Sequence, residues 1–346
     1  MKLRRIAVAA AALLMLSSCA QSPGQTSGTV KTTDFTVAVF QSELYLPDYV
    51  AQDTGIAAKH GLNMKFVTPS NGPAAAQFML AGTVNGWTTD PLIVLAAAGQ
   101  GQDIKMAGMV APVLNYSVLV KDGGTWPADN APVEEKIKAL AGKNIGVSGI
   151  GAGTDHALIA LLESAGMTAD QVTRIGIGQQ QAAIGQLQTG RIDAFVSLSL
   201  SGNETITQKA GARLYLSTHD ESVSAAVRAI PHAVFAVSGK YAEKNPETVA
   251  NWIAAEKESL TWIKENPDKA AEILNKHVFN GEQLDLAKTV VPKMLTTYFS
   301  DTPADMKITE TAFGSALKAA KAQNVVPASK ELTFNDVVIS SARGGQ

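Results

Sequence analysis

The glycine-rich stretch at residues 146–156 is the segment of this chain best suited to hold a ligand. It reads Gly-Val-Ser-Gly-Ile-Gly-Ala-Gly-Thr-Asp-His and joins a predicted strand to a predicted helix. Such a turn exposes backbone N–H groups at a helix N-terminus, where these donors and the helix dipole favour an anionic or polar group. A second interpretation stays open, in which this is a plain turn with Thr154 or Asp155 as the helix cap.

Three well-known functions of glycine-rich turns do not fit this stretch. A dinucleotide fingerprint fails because the pair Gly151 and Gly153 is followed by His156 at the position of the third glycine. A phosphate-binding loop fails because no Gly-Lys-Ser/Thr occurs. Around Ser148 the second glycine stands one position too early for a nucleophile elbow. The stretch therefore indicates binding rather than catalysis.

Histidine and cysteine spacing predicts neither a metal site nor a cofactor. The chain has one cysteine and five histidines, and the histidines show no metal-ligand spacing: His60, His156, His219, His232 and His277. His156 alone stays a candidate for ligand contact, because it lies on the glycine-rich turn.

The N-terminus has the pattern of a targeting segment. Three basic residues precede an apolar run at residues 6–16, which is shorter than the ~20 residues that span a bilayer. The run ends in Leu-Ser-Ser-Cys, which resembles the bacterial lipobox, so residues 1–18 are predicted to be a signal peptide and Cys19 the lipidation site. An ordinary signal peptide with a chance cysteine is the alternative. Residues 19–33 are rich in Ser, Thr and Gly and are predicted to be a flexible tether. We therefore expect a protein outside the cytoplasm, anchored to a membrane of the cell envelope.

Composition narrows the function classes further. The chain has 346 residues, of which 46% are hydrophobic and 17% charged, enough apolar material for about two domains. Its 29 basic and 31 acidic residues give a net charge of −2, which argues against a nucleic-acid partner. A single cysteine excludes a disulfide framework.

The pattern of elements predicts an α/β fold with largely parallel sheets, built from a unit that occurs twice. The first series has predicted strands at 35–40 and 64–67 and helices at 48–60 and 74–80. The second has strands at 144–147, 173–177 and 193–198 and helices at 154–164 and 180–189.

Both series contain the same helix-to-strand turn. Gly82 and Gly190 suit the left-handed position after a helix, and Asn85 and Asp193 stand three residues later, where they suit the turn into a strand. The repeat predicts two similar lobes, although common turn chemistry alone is an alternative explanation.

Two extended runs and a helical C-terminal third complete the predicted organisation. Runs 116–121 and 232–237 are candidate crossing strands, and Asn245 is a predicted N-cap before Pro246. We expect the C-terminal helices to pack on the first lobe. This predicts a discontinuous first lobe, residues 34–115 plus 232–346, and a second lobe at 116–231.

The order of several short segments carries a family resemblance. They are 45–51 (Tyr-Leu-Pro-Asp-Tyr-Val-Ala) with Gly55, 59–62 (Lys-His-Gly-Leu), 142–147 (Gly-Lys-Asn-Ile-Gly-Val), 190–194 (Gly-Arg-Ile-Asp-Ala) and 244–247 (Lys-Asn-Pro-Glu). In these the chain resembles the ABC-importer solute-binding proteins for aliphatic sulfonates, taurine, nitrate and thiamine pyrimidine precursors. It departs from them at Asn85, where the family usually has Asp.

The resemblance implies a type II periplasmic-binding-protein fold, in which two α/β lobes joined by two crossing segments close around one ligand. It implies a monomeric receptor rather than an enzyme, with a small-molecule solute and an ABC permease with its ATPase as partners, and with no cofactor. The ligand-binding residues expected on this basis are Gln41, Ser42, Tyr45, Trp87, Thr88, Asp90, Gly153, Thr154, Asp155, His156, Ser197 and Ser199.

The charges of the candidate loops bear on the solute. These loops contain Glu43, Asp90 and Asp155 but no Lys or Arg, so a small inorganic anion such as nitrate would be poorly held. A zwitterion or an amine-bearing heterocycle fits better, and a sulfonate or taurine-like solute stays open. Two other function classes bear on this sequence. A pyrimidine-precursor synthase would need a cluster of cysteines and histidines that is missing here, and an envelope sensor or non-transport lipoprotein remains the alternative.

Overall fold

Two five-stranded sheets organise the residues that the computed structural model describes, 32–178 and 180–345. The predicted signal peptide, the Cys19 lipidation site and nearly all of the predicted tether lie outside the described residues. The strands are β1 (Thr33–Ala38), β2 (Leu62–Val67), β3 (Gly86–Thr89), β4 (Ile104–Ala111), β5 (Ser117–Lys121), β6 (Asn144–Val147), β7 (Thr173–Gly176), β8 (Ala194–Ser197), β9 (Ala212–Ser217) and β10 (Ala233–Ser238).

Each sheet is mixed, and the two have the same pattern. The first lobe is built on the order β2-β1-β3-β10-β4, with β1 parallel to β2 and β3 and with β10 antiparallel to both neighbours. The second is built on β7-β6-β8-β5-β9, where β5 is the antiparallel strand. The expected α/β architecture is confirmed. The sheets are less parallel than predicted, because each crossing strand runs against the strands it joins.

Helices cover both sheets. They are α1 (Leu46–Asp53), α2 (Ile56–Lys59), α3 (Gly72–Leu80), α4 (Pro91–Gly99), α5 (Val133–Lys138), α6 (Gly153–Ser164), α7 (Gln181–Gln188), α8 (Leu200–Ala210), α9 (Ala225–Arg228), α10 (Gly239–Lys244), α11 (Pro246–Glu265), α12 (Pro267–Val278), α13 (Leu284–Thr297), α14 (Glu310–Ala322) and α15 (Phe334–Val337). The helix predicted at 48–60 is two helices, because Gly55 takes a left-handed conformation with φ of 80°.

The helix-to-strand turn expected in both series is present in both lobes. Gly82 and Gly190 have φ of 74° and 69°, the left-handed conformation that glycine adopts without a steric penalty. The two turns feed β3 and β8, which occupy the same place in their sheets.

The residues three positions after these glycines make the same hydrogen bond. The side chain of Asn85 accepts the backbone N–H of Thr36 at 2.8 Å, and that of Asp193 accepts the N–H of Asn144 at 2.8 Å. In both lobes the bonded residues are 49 positions apart. Asn and Asp are equivalent here because only a carbonyl-type acceptor is needed.

The long helix α11 packs on the first sheet through Trp252. Its ring lies 5.1 Å from that of Phe35 and 4.8 Å from that of Phe235, and all three side chains are buried. Asn245 stands at the predicted N-cap position, but its side chain does not cap the helix, since Nδ2 donates to the carbonyl of Tyr241. None of the helices within the described residues has both the length and the apolar composition that a membrane span requires.

Candidate functional site

A cavity lies between the lobes, where the parallel strands of both sheets end, and its empty space of about 670 Å³ includes the part that is open to solvent. Ligands gather at this edge in α/β proteins, because the loops there converge. From the first lobe and the crossing segments it is lined by Phe40, Gln41, Leu44, Tyr45, Ser70, Asn71, Gly72, Trp87, Thr88, Thr89, Asp90, Ile93, Tyr116, His232 and Ala233. From the second lobe it is lined by Ser148, Ala152, Gly153, Thr154, Gly178, Gln180 and Leu198.

Aromatic side chains form the wall on the first-lobe side. Trp87 is buried on β3, and Tyr45 donates its hydroxyl to the carbonyl of Thr88 at 2.9 Å. The ring of Phe40 meets that of Tyr45 edge-on at 5.8 Å between centroids. Burial raises the pKa of Tyr45 and Tyr116 well above 10, so both phenols stay neutral. The wall is suited to a flat, apolar surface on the ligand.

One acidic side chain faces this wall. Asp90 stands at the N-cap of α4 and accepts the N–H of Leu92 at 2.8 Å. Its other oxygen, Oδ2, lies 2.7 Å from Nδ1 of His156 on α6, with both side chains 6% exposed. Asp90 is the one carboxylate among the described lining residues, and none of these residues is Lys or Arg. The pair also joins the two lobes.

The glycine-rich turn presents backbone to the cavity. The helix α6 starts after Ala152, which has no side chain that can cap it. The backbone N–H groups of Gly153 and Thr154 find no acceptor within the described residues. Thr154 Oγ1 instead accepts the N–H of Ser148 at 2.9 Å. The alternative in which Thr154 or Asp155 caps this helix is therefore not what the structure shows, and two donors face the cavity.

Two glycines of this turn also let the lobes approach each other. A Cβ at Gly153 would overlap the hydroxyl of Tyr116 and lie 3.2 Å from Asp90 Oδ2. A Cβ at Gly149 would lie 3.1 Å from Nδ2 of Asn71. Asp90 and Asn71 belong to the first lobe, and Tyr116 lies in the crossing segment just before β5 of the second sheet. Glycine is needed here for clearance between the lobes as well as for access to a ligand.

A second inter-lobe contact is made by Glu43, which is fully buried just before α1. Its carboxylate accepts hydrogen bonds from the hydroxyls of Ser199 and Ser201 at 2.8 and 2.7 Å and from the N–H of Leu200 at 2.5 Å. The hydroxyl of Tyr298 donates to it at 3.2 Å. The first three donors lie at the N-terminus of α8, where the helix dipole favours a negative charge. Glu43 therefore ties the lobes together and does not face the cavity.

The structure brings most of the predicted ligand-binding residues together. Seven line the cavity: Gln41, Tyr45, Trp87, Thr88, Asp90, Gly153 and Thr154. His156 lies directly behind them, on Asp90.

The other four predicted residues, Ser42, Asp155, Ser197 and Ser199, make hydrogen bonds inside the protein and do not line the cavity. Asp155 pairs with Arg174 at 2.8 Å, so its charge is compensated within the second lobe. Ser197 donates to Gln180 at 2.6 Å, and Ser42 accepts the N–H of Leu44. Of the three acids expected near the ligand, Asp90 alone lines the space, because Asp155 and Glu43 have partners elsewhere.

Sequence reasoning missed several lining residues. Tyr116 and His232 lie where the crossing segments enter β5 and β10, and were recognised only as strand positions. Asn71 caps α3 by accepting the N–H of Ala74 at 3.0 Å, and the Asn-Gly-Pro sequence is a signal that could have found it. Gln180 had no such signal, because its contacts with β8 are non-local.

Comparison with known proteins places the chain in a family. The sequence profile described as NMT1/THI5 like matches residues 44–270. The formylaminopyrimidine-binding protein of Halalkalibacterium halodurans is 24% identical over 265 residues, which is 76% of each chain.

Solved structures have the same fold. The structure of a Bordetella bronchiseptica protein superposes with a TM-score of 0.71 at 20% identity, covering 91% of this chain and 96% of that one. The alkanesulfonate-binding protein SsuA of Xanthomonas axonopodis pv. citri, bound to MOPS, gives 0.69 at 15% identity, covering 91% and 99%. The two-lobed periplasmic-binding-protein fold is thereby confirmed. Within the described residues no cluster of three or more His, Cys, Asp or Glu side chains is placed to hold a metal ion.

Proposed function

The chain belongs to the NMT1/THI5-like solute-binding protein family of ABC import systems, and on this premise we propose that it captures a small organic solute bearing an amine on a heteroaromatic ring. The family consists of binding proteins, so we expect capture and release without turnover. Residues 44–270 carry the family match and include every strand of the second lobe.

One observation carries the proposed ligand class. In a cavity walled by aromatic rings, the carboxylate of Asp90 is the one charged acceptor among the described lining residues, with no Lys or Arg beside it. A buried carboxylate of this kind favours a ligand that donates a hydrogen bond or carries a positive charge. An amine on a flat ring would give the Asp90 carboxylate a further donor beside Leu92 and His156, and the ring would lie against the aromatic wall. The relative that binds formylaminopyrimidine supports the same class.

A sulfonate or taurine-like solute is the second candidate. The N–H groups of Gly153 and Thr154 at the start of α6, which have no acceptor among the described residues, favour it because such donors bind anionic oxygens. A sulfonate would share the cavity with the Asp90 carboxylate, and repulsion between the two negative charges disfavours a solute without an amine. Taurine has both a sulfonate and an amine, so its amine could face the Asp90 carboxylate while its sulfonate accepts from the N–H groups.

Capture is proposed to work by closure of the lobes. The contacts Asp90–His156 and Glu43–α8 both span the lobes, so we expect opening of the lobes to break them. A solute that touches both walls shifts the population towards this state by its differential affinity. We further propose that an ABC permease recognises the closed form, and that lipid on Cys19 holds the protein at the membrane outside the cytoplasm. An envelope sensor with the same anchor is the alternative.

The first experiment is a thermal-shift and calorimetric screen of the chain from residue 19 onward with Cys19→Ser. The compounds are 4-amino-2-methylpyrimidine, taurine, ethanesulfonate, nitrate and amino acids. A compound at 100 times its dissociation constant should stabilise the protein by ~2.7 kcal/mol. Stabilisation by the aminopyrimidine, weakened in Asp90→Asn, would support the proposed class. Stabilisation by ethanesulfonate alone would replace it with the sulfonate class, and chemical turnover of any compound would contradict the receptor function.

A further inference from the structure

His232 lies where the second crossing segment enters β10, and its ring forms part of the cavity wall. The residue is 2% exposed. His232 lies outside the glycine-rich turn and the loops that follow the parallel strands, so no sequence motif predicts a role for it. The contacts of its ring do indicate one.

Three neighbours fix the orientation of the ring. Tyr298 stacks on it with 5.3 Å between centroids and 26° between planes, and the ring of Tyr116 lies 4.6 Å away at 57°. The backbone N–H of Asn115 donates to Nδ1 at 3.4 Å. Within the described residues Nε2 has no hydrogen-bond partner. With both tyrosines and Asn115 in place, the edge that carries Nε2 is the part left to line the cavity.

The protonation state of the ring follows from these contacts. Burial lowers the pKa of His232 to about 4, although the charge of Asp90 opposes the shift, so the imidazole is neutral at pH 7. Since Nδ1 accepts a hydrogen bond, the proton of the neutral ring is on Nε2. Nε2–H is then a donor only, and buried donors are found with acceptors in folded proteins.

We propose that His232 is a specificity-determining residue, whose Nε2–H donates a hydrogen bond to an acceptor atom of the bound solute. This inference deepens the proposed function and rests on it. Because Asp90 lines the same cavity, the site selects a solute that has a hydrogen-bond acceptor facing His232 and a hydrogen-bond donor facing Asp90. A ring nitrogen beside an exocyclic amine has both groups on one planar unit, whereas a hydrocarbon ring with an amine lacks the acceptor.

The binding test compares two probes of nearly equal shape at about pH 8. These are 4-amino-2-methylpyrimidine and 3-methylaniline, in which carbon replaces both ring nitrogens. We expect the wild-type protein to bind the pyrimidine about tenfold or more tightly than the aniline. His232→Leu should bind both probes equally, and His232→Gln, whose amide can donate near the Nε2 position, should keep part of the preference. His219→Gln, at an exposed histidine, is the control and should behave as wild type. Undiminished preference in folded His232→Leu would overturn the inference.

An NMR measurement on the histidine nitrogens tests the inference without relying on the pyrimidine class. In the free protein the ring of His232, assigned by the loss of its signals in His232→Gln, should be neutral at pH 6 with its proton on Nε2. Addition of the compound that stabilises the protein in the screen, whether aminopyrimidine, taurine or ethanesulfonate, should move this Nε2–H proton resonance. A proton on Nδ1 in the free protein, or an unmoved resonance on saturation, would overturn the inference. Binding of ethanesulfonate with a shifted resonance would contradict the proposed ligand class and still support the role of His232.

Discussion

The two lobes face the cavity with different chemistry. The first contributes side chains: the rings of Tyr45 and Trp87 and the carboxylate of Asp90. The second contributes the glycine-rich turn, where the N–H groups of Gly153 and Thr154 have no acceptor within the described residues, together with Gln180 and Leu198. Side chains can discriminate between chemical groups, whereas glycine backbone gives donors and clearance. We therefore expect the first lobe to discriminate between solutes through its side chains and the second lobe to supply backbone donors and clearance.

The largest expected effect on affinity comes from Gly153→Ala, which adds a side chain to the glycine-rich turn of the second lobe. In Gly153→Ala the new Cβ would overlap the Tyr116 hydroxyl and crowd Asp90, so the lobes could not close fully. If the closed population falls to about one in a hundred, the apparent affinity falls about a hundredfold. Calorimetry measures the affinity, and small-angle scattering should show a larger radius of gyration. Gly185→Ala, in open space on α7, is the matched control and should leave both unchanged. Unaltered affinity in Gly153→Ala would mean that the turn is not a closing surface.

The next effect comes from removing charge from the first lobe. Asp90→Asn keeps the acceptor that caps α4 but removes the carboxylate, and we expect an amine-bearing solute to bind about tenfold to a hundredfold more weakly. Asp155→Asn removes an acid that is paired with Arg174 away from the cavity, so its affinity should stay within about twofold of wild type. Calorimetry with 4-amino-2-methylpyrimidine distinguishes the two variants. Equal losses in both would mean that net charge, not the position of Asp90, determines affinity.

A smaller effect is expected at the other inter-lobe contact. Glu43→Gln keeps the size of the side chain but replaces one accepting oxygen and the charge opposite the α8 N-terminus, so the closed state should be weakened. We expect about threefold to tenfold lower affinity, with no change in which solutes bind. The ratio of affinities for 4-amino-2-methylpyrimidine and 3-methylaniline measures this. A changed ratio would show that Glu43 takes part in selection.

The two lobes also differ in their buried acids. Here we expect the smallest effect, and it is an effect on stability. The buried acid Asp155 has a cation, Arg174, beside it, whereas Asp48 on α1 and Glu256 on α11 are two acids buried next to each other in the first lobe. Burial raises the pKa of Asp48 to about 6, and burial together with the neighbouring Asp48 raises that of Glu256 well above 4.5.

The sign of the pH dependence follows from these raised pKa values. The folded state holds protons that the unfolded state has already released, so the free energy of unfolding falls as pH rises from about 4 through about 6. Glu256→Gln cannot ionise and should flatten this fall, with a melting temperature at about pH 8 raised by ~2 °C relative to wild type. Glu258→Gln is the control, because its carboxylate contacts Lys59 and His60 on the surface and its pKa is lowered. A steeper fall in Glu256→Gln would contradict the shared burial of the two acids.

Local signals predicted the fold well. Strand β6 is found at residues 144–147 as predicted, and Gly82 and Gly190 take the left-handed conformation that their turns require. These features depend on neighbours within a few residues. The lobe boundaries at 116 and 231 remain a prediction of the same kind.

The candidate site was less predictable, because its contacts join distant parts of the chain. Glu43 is bound by donors 156 to 255 positions away, and Asp90 meets His156 across 66. Residue type alone suggested that Glu43 faces a ligand, and only the placement of α8 shows that it does not. Tyr116 and His232 likewise become lining residues through the crossing of two segments, which no local pattern reports.

The equal spacing of the two side-chain bonds has an evolutionary consequence. Thr36 to Asn85 and Asn144 to Asp193 are both 49 positions, and they close the same strand–helix–strand–helix–strand unit in sheets of the same order. Two copies of one ancestral segment would have this shared spacing and strand order, and an exchange of one antiparallel strand between them would produce two crossings. On that origin, the Asp90 carboxylate in the first lobe and the glycines opposite it in the second are differences that arose between the two halves after the duplication.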